Sequence, residues 1–426
     1  MTATTFRHTL ERSLSPKNVN SAGPQLAADI EGVAAYRDGK AAHISGIRAS
    51  GNELAITLVK PAGDFLTRLS MFAFCPVPLS TPIFLPGFTE KPIPSAGPYY
   101  IQSIQGDRTV LERNPYYPGK RPRRAERIVY TNDIPTPKAV VLANAGAVDL
   151  LPQDFDNTTS LFGPGGPLDQ RKGGGSAAAR AGAQQYYPYD APLVDAIVFN
   201  TSRPFFRDVR LRQAVNYALD RSALAAAYAD APFAGIVPPA VPGFGSGRLY
   251  PPARADVATA RRLAGGRRRH AVIATCGDPR LPKLAAIVRS DLARIGLTTS
   301  ILESQQCPGQ YQRADLFFTT FGPEELELDP AQLIDQALST SVYGSPLGPG
   351  PWRAGGFRHE IRRAQTLRGQ DRLAAYRRIQ AQLERMAPLA VFGSFVWGEY
   401  LSPKVGCRVQ QAEFGFMDLG ELCKRT

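Results

Sequence analysis

The sequence lacks long apolar runs. The 426-residue chain contains no stretch of about 18 or more consecutive apolar residues, so no segment reaches the length of a membrane-spanning helix. The first residues, MTATTFRHTLERSLSPK, have no apolar core of the kind found in signal peptides; they place Phe6, Leu10 and Leu14 at helical spacing. Apolar residues form 43% of the chain, which is ordinary for a globular protein. The length allows two or three lobes, each with its own core.

Histidine and cysteine are scarce. The four histidines, His8, His43, His270 and His359, are far apart, and none of the five cysteines forms a C-x-x-C pair. No cysteine has a histidine at zinc-finger spacing. The sequence therefore predicts no metal site, and we expect no cofactor.

Catalytic signatures are also missing. The run FGSF at 392–395 lacks the second glycine of a nucleophile elbow, and RKGGGS at 171–176 has the wrong order for a phosphate-binding loop. Carboxylates cluster only in FGPEELELDP at 321–330, and sequence alone cannot show the paired geometry that a glycosidase needs. These absences favour a binding protein over an enzyme.

The net charge of +13 raises the question of nucleic-acid binding. The basic residues are forty Arg and ten Lys, a bias typical of GC-rich coding sequences. The clusters RPRRAER at 121–127 and GGRRRH at 265–270 contain no interleaved aromatic residues. A nucleic-acid-binding surface would instead show a basic stripe on one docking element. We therefore expect no nucleic-acid partner and assign most of this charge to a solvated surface.

Apolar periodicity predicts a mixed α/β chain. Two stretches have the alternation and turn residues of hairpins, with turns at Gly51-Asn52 and Gly106-Asp107. A late helix should begin with Asp371 as its N-cap and end at Pro388. The remaining predicted elements are helices over 1–17 and 136–146, hairpins over 44–59 and 96–117, and strands over 127–133 and 389–397.

Residues 270–307 predict a strand, a helix and a second strand. Such a unit requires a crossover, so its two strands should be parallel and end at the same edge of the sheet. Cys276 and Cys307 each follow one of these strands, which makes them a candidate disulfide pair. Cys407 and Cys423, sixteen residues apart, are a second candidate pair. The alternative is that all five cysteines are reduced; a disulfide would favour an oxidising compartment.

The stretch AIVFNTSRPFFRDVRLRQAVNYALDR at 196–221 predicts a strand and then a helix. Asp208 is placed as an N-cap, where its carboxylate meets the positive end of the helix. Arg210 and Arg212 fall in the first turn, where the helix dipole disfavours them, so partners elsewhere should hold them. Asp220 is a candidate partner. The buried face of this helix should comprise Leu211, Val215, Ala218 and Leu219.

Several stretches, taken in order, resemble the extracytoplasmic solute-binding proteins of peptide, dipeptide and nickel ABC importers, family 5. The similarity covers nearly the whole chain and rests on five segments: TATTFRHTLERSLSPK, IEGVAAYRDGKAAHISGIRASGNELAITLVKPAGDFLTRLS, PSAGPYYIQSIQGDRTVLERNPYYPGKRP, NTSRPFFRDVRLRQAVNYALDR and DRLAAYRRIQAQLERMAP.

This resemblance implies a two-lobed α/β fold of the periplasmic-binding-protein type, with an extra subdomain inserted in lobe one. Residues 1–92 would form the inserted subdomain, 93–188 part of lobe one, 189–400 lobe two, and 401–426 the return to lobe one. The chain would cross between lobes near 186–196 and 396–404. The family's opening strands, signal peptide and lipid-anchor cysteine have no counterpart here, which implies an N-terminally truncated product; Cys75 would then lack a partner.

The resemblance also implies a function and a site. A monomer would capture a small solute, such as an oligopeptide, between two lobes outside the cytoplasm and deliver it to the membrane permease. The family's acidic ligand-binding motif aligns with FGPEELELDP, which makes Glu325 the expected anchor for the ligand ammonium, with Glu324 and Asp329 as alternates. Phe321 and Trp397 are candidate walls of the cleft.

Alternatives remain for both the site and the function. The acidic run could be a solvated loop in which Asp329 caps the following helix, and Trp397 could be a core residue. An arginine-rich cleft would favour an anionic solute. An enzyme, or a surface interaction protein built on the same fold, would explain the same scaffold.

Overall fold

The chain forms two compact units. The computed structural model describes residues 1–18, 22–83, 94–151, 185–228, 230–245, 249–266, 269–278, 280–304, 312–322, 329–338, 355–411 and 416–425. Among these, the first unit holds the residues up to Leu151 together with Gln185 and the segment from Leu401 onward, and the second unit holds 186–400. The finer division at residues 92 and 93 stays a prediction.

The N-terminal part of the first unit is a helical region with one hairpin. Its first helix, Ala3–Leu14, lies within the predicted range 1–17, and its hairpin turns at Gly51, whose φ of +54° is in the left-handed region that glycine tolerates. The elements are α1 Ala3–Leu14, α2 Gly23–Ala27, α3 Val33–Arg37, β1 Ile47–Ser50, β2 Glu53–Ile56, α4 Phe65–Leu69 and a 3-10 turn Phe72–Phe74.

This region contains one apolar cluster. Leu10 and Leu14 of α1 pack with Ile30, Ile47 and Phe74 in a continuous apolar cluster. These two leucines recur at helical spacing, so a single face of α1 supplies the contacts.

The rest of the first unit up to Leu151 contains a three-stranded antiparallel sheet and one helix. The sheet order follows the chain, as expected for a hairpin extended by a third strand. The elements are β3 Tyr99–Gln105, β4 Arg108–Arg113, β5 Arg127–Thr131, α5 Thr136–Asn144 and β6 Leu150–Leu151.

The second unit is a sheet with helices on both faces. Its elements are β7 Gln185–Phe199 (from Tyr186 on), a 3-10 turn Pro204–Arg207, α6 Val209–Ala218, α7 Arg221–Tyr228, β8 Ala231–Pro232, α8 Val257–Ala264, β9 Arg269–Cys276, α9 Leu281–Ala293, β10 Leu297–Ser304, β11 Leu316–Phe321, α10 Pro330–Leu338, α11 Gly355–Thr366, α12 Gly369–Met386 and β12 Leu389–Leu401 (to Tyr400).

The strand order in this sheet is β10-β9-β11-β7-β12, and β8 pairs with β12. Strands β9 and β10 are parallel, as the crossover predicted, and β11 runs parallel to β9 and antiparallel to β7. Helices α6 to α9 bury one face of the sheet and helices α10 to α12 bury the other, which gives three layers and two apolar clusters.

Helix α6 begins as predicted. The carboxylate of Asp208 accepts a hydrogen bond from the backbone N–H of Arg210 at 2.9 Å. The predicted buried residues Leu211, Val215 and Ala218 are fully buried, as is Leu219 just after the helix. The amphipathic pattern therefore specified the orientation of this helix.

The prediction that Asp220 pairs with an arginine of α6 is wrong. Asp220 accepts a hydrogen bond from the backbone N–H of Ala223 at 3.0 Å, so it serves the start of the next helix. Arg212 is instead bonded to backbone carbonyl oxygens, including those of Phe206 and Ala387. Carbonyl oxygens of distant residues cannot be recognised from the local sequence, whereas an acidic residue eight positions away is an obvious candidate partner.

The predicted N-cap of the late helix is also wrong. Helix α12 begins at Gly369 with Arg368 in the capping position, and Asp371 lies within the first turn. An acidic residue is favourable in either position because both lie near the positive end of the helix dipole, so the sequence does not distinguish them.

The C-terminal segment returns to the first unit in four short strands, β13 Val405–Gly406, β14 Gln410–Gln411, β15 Phe416–Met417 and β16 Cys423–Lys424. The candidate pair Cys407 and Cys423 is disulfide-bonded, with a Cα–Cα distance of 5.4 Å. Gln185 is fully buried and donates hydrogen bonds to the carbonyl oxygens of Ser402 and Val405, each at 2.7 Å. Cys75 is a free, exposed thiol.

Candidate functional site

The carboxyl ends of β9 and β11 define the most suitable edge for a ligand in the second unit. Open α/β sheets bind ligands beyond the carboxyl ends of their parallel strands. Helix α9 begins after β9, and helix α10 begins after β11. Two helix N-termini therefore follow this edge, and such termini carry partial positive charge.

Three polar side chains are joined beside the end of β9. Arg280 donates to the carboxylate of Asp278 from Nε and Nη2, with Nη2–Oδ2 at 2.7 Å. The phenol of Tyr228, at the end of α7, donates to Oδ2 of Asp278 at 3.1 Å. The guanidinium of Arg280 also stacks over the ring of Tyr228, 4.1 Å from its centroid.

These contacts set the charge of each group. Burial opposes ionisation of Asp278, but the hydrogen bonds from Arg280 outweigh it and hold the pKa of Asp278 below its ordinary value. The same hydrogen bonds raise the pKa of Arg280. Burial, followed by the charge of Asp195, raises the pKa of Tyr228, which keeps the phenol protonated as a donor.

The group remains partly accessible. The side chains of Arg280 and Asp278 are 29% and 28% exposed, which leaves an edge of each available to a solute. A fixed acid, a fixed guanidinium and a phenol recognise polar or charged groups by hydrogen bonding. Sequence reasoning missed these residues, although the polar run CGDPR directly after a predicted strand was a usable signal.

Phe321, a predicted cleft wall, is the last residue of β11 and is only 4% exposed. It belongs to the apolar cluster that includes Val194 and Ala331. The next residue, Gly322, has no room for a side chain, since a Cβ there would lie 2.6 Å from the carbonyl oxygen of Pro192. The ligand-contacting role of Phe321 stays a prediction.

Asp329, an alternate anchor, is engaged by protein groups. Its two carboxylate oxygens accept hydrogen bonds from Nε and Nη2 of Arg372 at 3.0 and 2.9 Å. Oδ1 also accepts from the backbone N–H of Ala331 at 2.8 Å, in the manner of a helix cap at the start of α10. These contacts support the capping alternative, and the ligand-binding role stays a prediction.

Trp397, the other predicted wall, is fully buried in β12. Its indole packs edge-on against Tyr189 with ring centroids 5.9 Å apart, in a cluster with Ala191 and Phe395. This environment is that of a core residue, and contact with solute stays a prediction.

The remaining predicted residues are not described. Glu324 and Glu325 lie outside the described residues, between Gly322 and Asp329 in the chain. Cys307 also lies outside them, so its pairing with Cys276 stays a prediction.

A concavity of about 590 Å³ opens at the opposite end of β9. Its basic lining includes Arg203, Arg207 and Arg269, but Arg203 is already paired with Asp315 at 2.6 Å. Because it lies at the amino end of β9, it is the less suitable place for the ligand of an α/β sheet.

The described ranges contain neither a metal-binding cluster nor a membrane-spanning helix. No group of three or more His, Cys, Asp or Glu side chains there is arranged to hold a metal ion. No helix there combines the length and the apolar character needed to cross a bilayer.

Comparison with known proteins gives a consistent assignment. Residues 1–339 match the model for bacterial extracellular solute-binding proteins, family 5 Middle. No curated protein matches the sequence.

Three solved structures illustrate the likeness in fold. The clavulanic acid biosynthesis oligopeptide binding protein 2 superposes with a TM-score of 0.79 at 18% identity, covering 100% of this chain and 81% of its own. The periplasmic murein tripeptide binding protein MppA, in an unliganded open form, gives 0.77 at 18% identity, covering 100% and 82%. The peptide-binding protein AppA from Clostridium difficile, described as putative, gives 0.74 at 18%, covering 99% and 84%.

Proposed function

The chain belongs to family 5 of the bacterial extracellular solute-binding proteins, which serve ABC importers, and we propose that its solute is a short peptide or a similar small molecule with an ammonium group. The solute is held at the carboxyl edge of the sheet in the second unit and is then delivered to the permease. The protein acts as a monomer, without turnover, outside the cytoplasm, and is held at the membrane by a lipid anchor.

One observation carries this proposal. Strand β11 ends at Phe321, α10 begins at Pro330, and the acidic run with Glu324 and Glu325 lies between them in the chain. The chain therefore leaves β11 at the edge where sheets of this class bind ligands, and the acidic run follows in sequence. A carboxylate there would make a charge-assisted hydrogen bond to an ammonium group, which is stronger than a neutral one.

The choice of Glu325 over Asp329 has a physical basis. Asp329 already balances the charge of Arg372 and accepts a backbone hydrogen bond. A ligand ammonium would compete with these partners, which disfavours Asp329 as the anchor. Two structural neighbours are named for an oligopeptide and a murein tripeptide, which supports a peptide as the class of solute.

The first experiment identifies the solute. Protein purified under mild conditions is denatured, and the released small molecules are analysed by mass spectrometry. We expect short peptides or related amines. An empty protein that also shows no thermal shift with peptide mixtures would overturn the proposal, and turnover of a bound solute in the absence of permease would identify an enzyme.

The second experiment tests the anchor. Peptide binding is measured by calorimetry for the wild type and for Glu325→Gln, with Glu53→Gln, at an exposed position of β2 in the first unit, as the control. We expect a loss of about 10-fold or more in affinity for Glu325→Gln, since removing one charged hydrogen bond costs about 1.5–3 kcal/mol. N-acetylation of the peptide should weaken binding to the wild type and have little further effect on the variant. Equal affinities in the three proteins would refute the anchor.

A further inference from the structure

Two aspartates meet inside the second unit, away from the predicted anchor. Asp195 lies in β7 and is 1% exposed. Asp230 directly precedes β8, and although the residue is half-buried, its Oδ2 is excluded from solvent. The two carboxyl groups lie close enough to each other to share a hydrogen bond.

Residues of the neighbouring strands fix the positions of the two carboxyl groups. Thr320, opposite Asp195 in the β7–β11 pairing, donates its hydroxyl to Oδ1 of Asp195 at 2.5 Å. On the other side, Asp230 presses against Gly393 of β12, where an added Cβ would lie 2.4 Å from Oδ2 of Asp230. Glycine is needed at this position because the carboxyl group occupies the place of a side chain.

The donors around the pair are too few for two ionised carboxylates. Oδ2 of Asp195 and Oδ2 of Asp230 each lack a hydrogen-bond donor among the described residues. Burying an acceptor without a donor costs free energy, and the cost is larger for a charge. A proton on one carboxyl group would satisfy both oxygens at once, since it turns one acceptor into a donor.

The charged groups that face the pair do not replace that proton. The charged groups are Asp278 and Arg280, beyond the end of β9. The phenol of Tyr228 from α7 also faces the pair, but it is neutral. The guanidinium of Arg280 is already bonded to Asp278 by two of its nitrogens. Among the described residues, the cation acting on the pair is therefore Arg280, whose charge is largely neutralised by Asp278.

We propose that Asp195 and Asp230 share one proton, so that the second unit contains a proton-binding site linking β7 to the β8–β12 pair. The proton forms the hydrogen bond between the two carboxyl groups, and the single remaining negative charge is stabilised by Thr320 and by Arg280. The site makes the stability of the second unit depend on the pH of its surroundings. This proposal does not depend on which solute the protein binds.

The direction of the effect follows from the raised pKa of Asp230, which burial causes first and the charge of Asp195 second. An aspartate in the unfolded chain has a pKa of about 3.9, so it is ionised at neutral pH and unfolding releases the shared proton. The stabilisation that the shared proton provides is complete below the pKa of the aspartate in the unfolded chain. It is lost as the pH rises towards the pKa of the pair in the folded protein. Across that window the unfolding constant should rise about 10-fold per pH unit for one proton.

Asp230→Asn tests the proposal because its amide N–H can donate to Asp195 without a titrating proton. Denaturant unfolding is measured from mildly acidic to alkaline pH for the wild type and this variant, with Asp278→Asn as a control in the adjacent ion pair. We expect the wild type to lose stability relative to Asp230→Asn by about 10-fold per pH unit, and Asp278→Asn to keep the wild-type slope in this window.

Asp195→Asn keeps the test decisive if Asp230→Asn does not fold. The second readout is the infrared carbonyl band of a protonated carboxylic acid in the folded protein at neutral pH. We expect this band in the wild type and in Asp278→Asn, and not in either asparagine variant of the pair.

Two results would overturn the proposal. One is an identical pH profile in the wild type and the pair variants, with no protonated carboxyl band. The other is an increase in wild-type melting temperature with Na⁺, Mg²⁺ or Ca²⁺ that the pair variants lack, since this would make the site a cation site.

Discussion

Arg212 donates a hydrogen bond from its Nε to the carbonyl oxygen of Ala387 at 2.9 Å, and from Nη2 to that of Met386 at 2.6 Å. These carbonyls lie at the end of α12, where the helix dipole is negative. Arg212 is 1% exposed, and burial lowers its pKa to about 10. A buried cation is thus held by carbonyl dipoles contributed by residues far away in the chain.

Replacing Arg212 should be strongly destabilising. Arg212→Met removes the donors of several buried carbonyl oxygens at once, and we expect a loss of about 3–5 kcal/mol in the free energy of unfolding. The matched control is Arg210→Met, two residues earlier on the exposed side of α6, which should change stability by about 0.5 kcal/mol or less. Denaturant unfolding of both variants measures the difference, and equal stabilities would contradict the role given to these carbonyls.

Asp329 should matter for folding more than for solute. Asp329→Asn removes the charge that balances the buried guanidinium of Arg372, so we expect a loss of about 3 kcal/mol or more in stability. Peptide affinity should change less than about 3-fold if the residue has no contact with solute. Asp371→Asn, in the exposed first turn of α12, is the control. A large loss of peptide affinity without a loss of stability would instead show that Asp329 contacts the solute.

Gly322 should not tolerate a side chain. Gly322→Ala places a Cβ 2.6 Å from the backbone oxygen of Pro192 and 2.2 Å from Cδ2 of Leu193, and a backbone atom cannot rotate away. We expect a loss of about 1–3 kcal/mol. Gly355→Ala, at a helix start with open space around its Cβ, serves as the control and should be neutral or slightly stabilising. Thermal melting of both proteins distinguishes a steric cause from a general intolerance of alanine.

The disulfide should be an appreciable part of the stability of the first unit. Replacing both Cys407 and Cys423 with serine opens a loop of sixteen residues and should cost about 3 kcal/mol. Cys75→Ser, at an exposed free thiol, should change stability by about 0.5 kcal/mol or less.

Thiol counting in denaturant completes this test. Of the five cysteines, three free thiols would indicate Cys407–Cys423 as the single bond, and one would show that Cys276 and Cys307 also pair. Five free thiols would rule out both pairs.

Local patterns predicted the elements that depend on neighbours in the chain. The apolar stripe of α6, the parallel strands β9 and β10, and the turn at Gly51 all follow from spacing and turn chemistry within a few residues. The family assignment also follows from short ordered segments, because these specify helix starts and hairpins.

Contacts between distant residues could not be predicted in this way. Arg212 reaches α12, Arg372 reaches Asp329, and Asp195 meets Asp230 only because the sheet order brings their strands and loops together. Sequence reasoning therefore offered Asp220 as a partner for an arginine, because it ends the same segment, and considered Asp329 for the ligand, because Asp329-Pro330 matches the end of the family's acidic motif. In the structure Asp220 caps a helix, and Asp329 is bonded to Arg372 and to the start of α10.

The return of residues 401–425 to the first unit bears on the order in which the chain can fold during synthesis. Every described residue of the second unit lies between 186 and 400, so this unit is complete in sequence once Tyr400 has been made. The first unit begins earlier but must wait for Val405, Cys423 and Arg425 to reach Gln185 and Cys407. The ribosome starts with residues of the first unit. The second unit is nevertheless the first for which all described residues have been synthesised, so it can fold earlier.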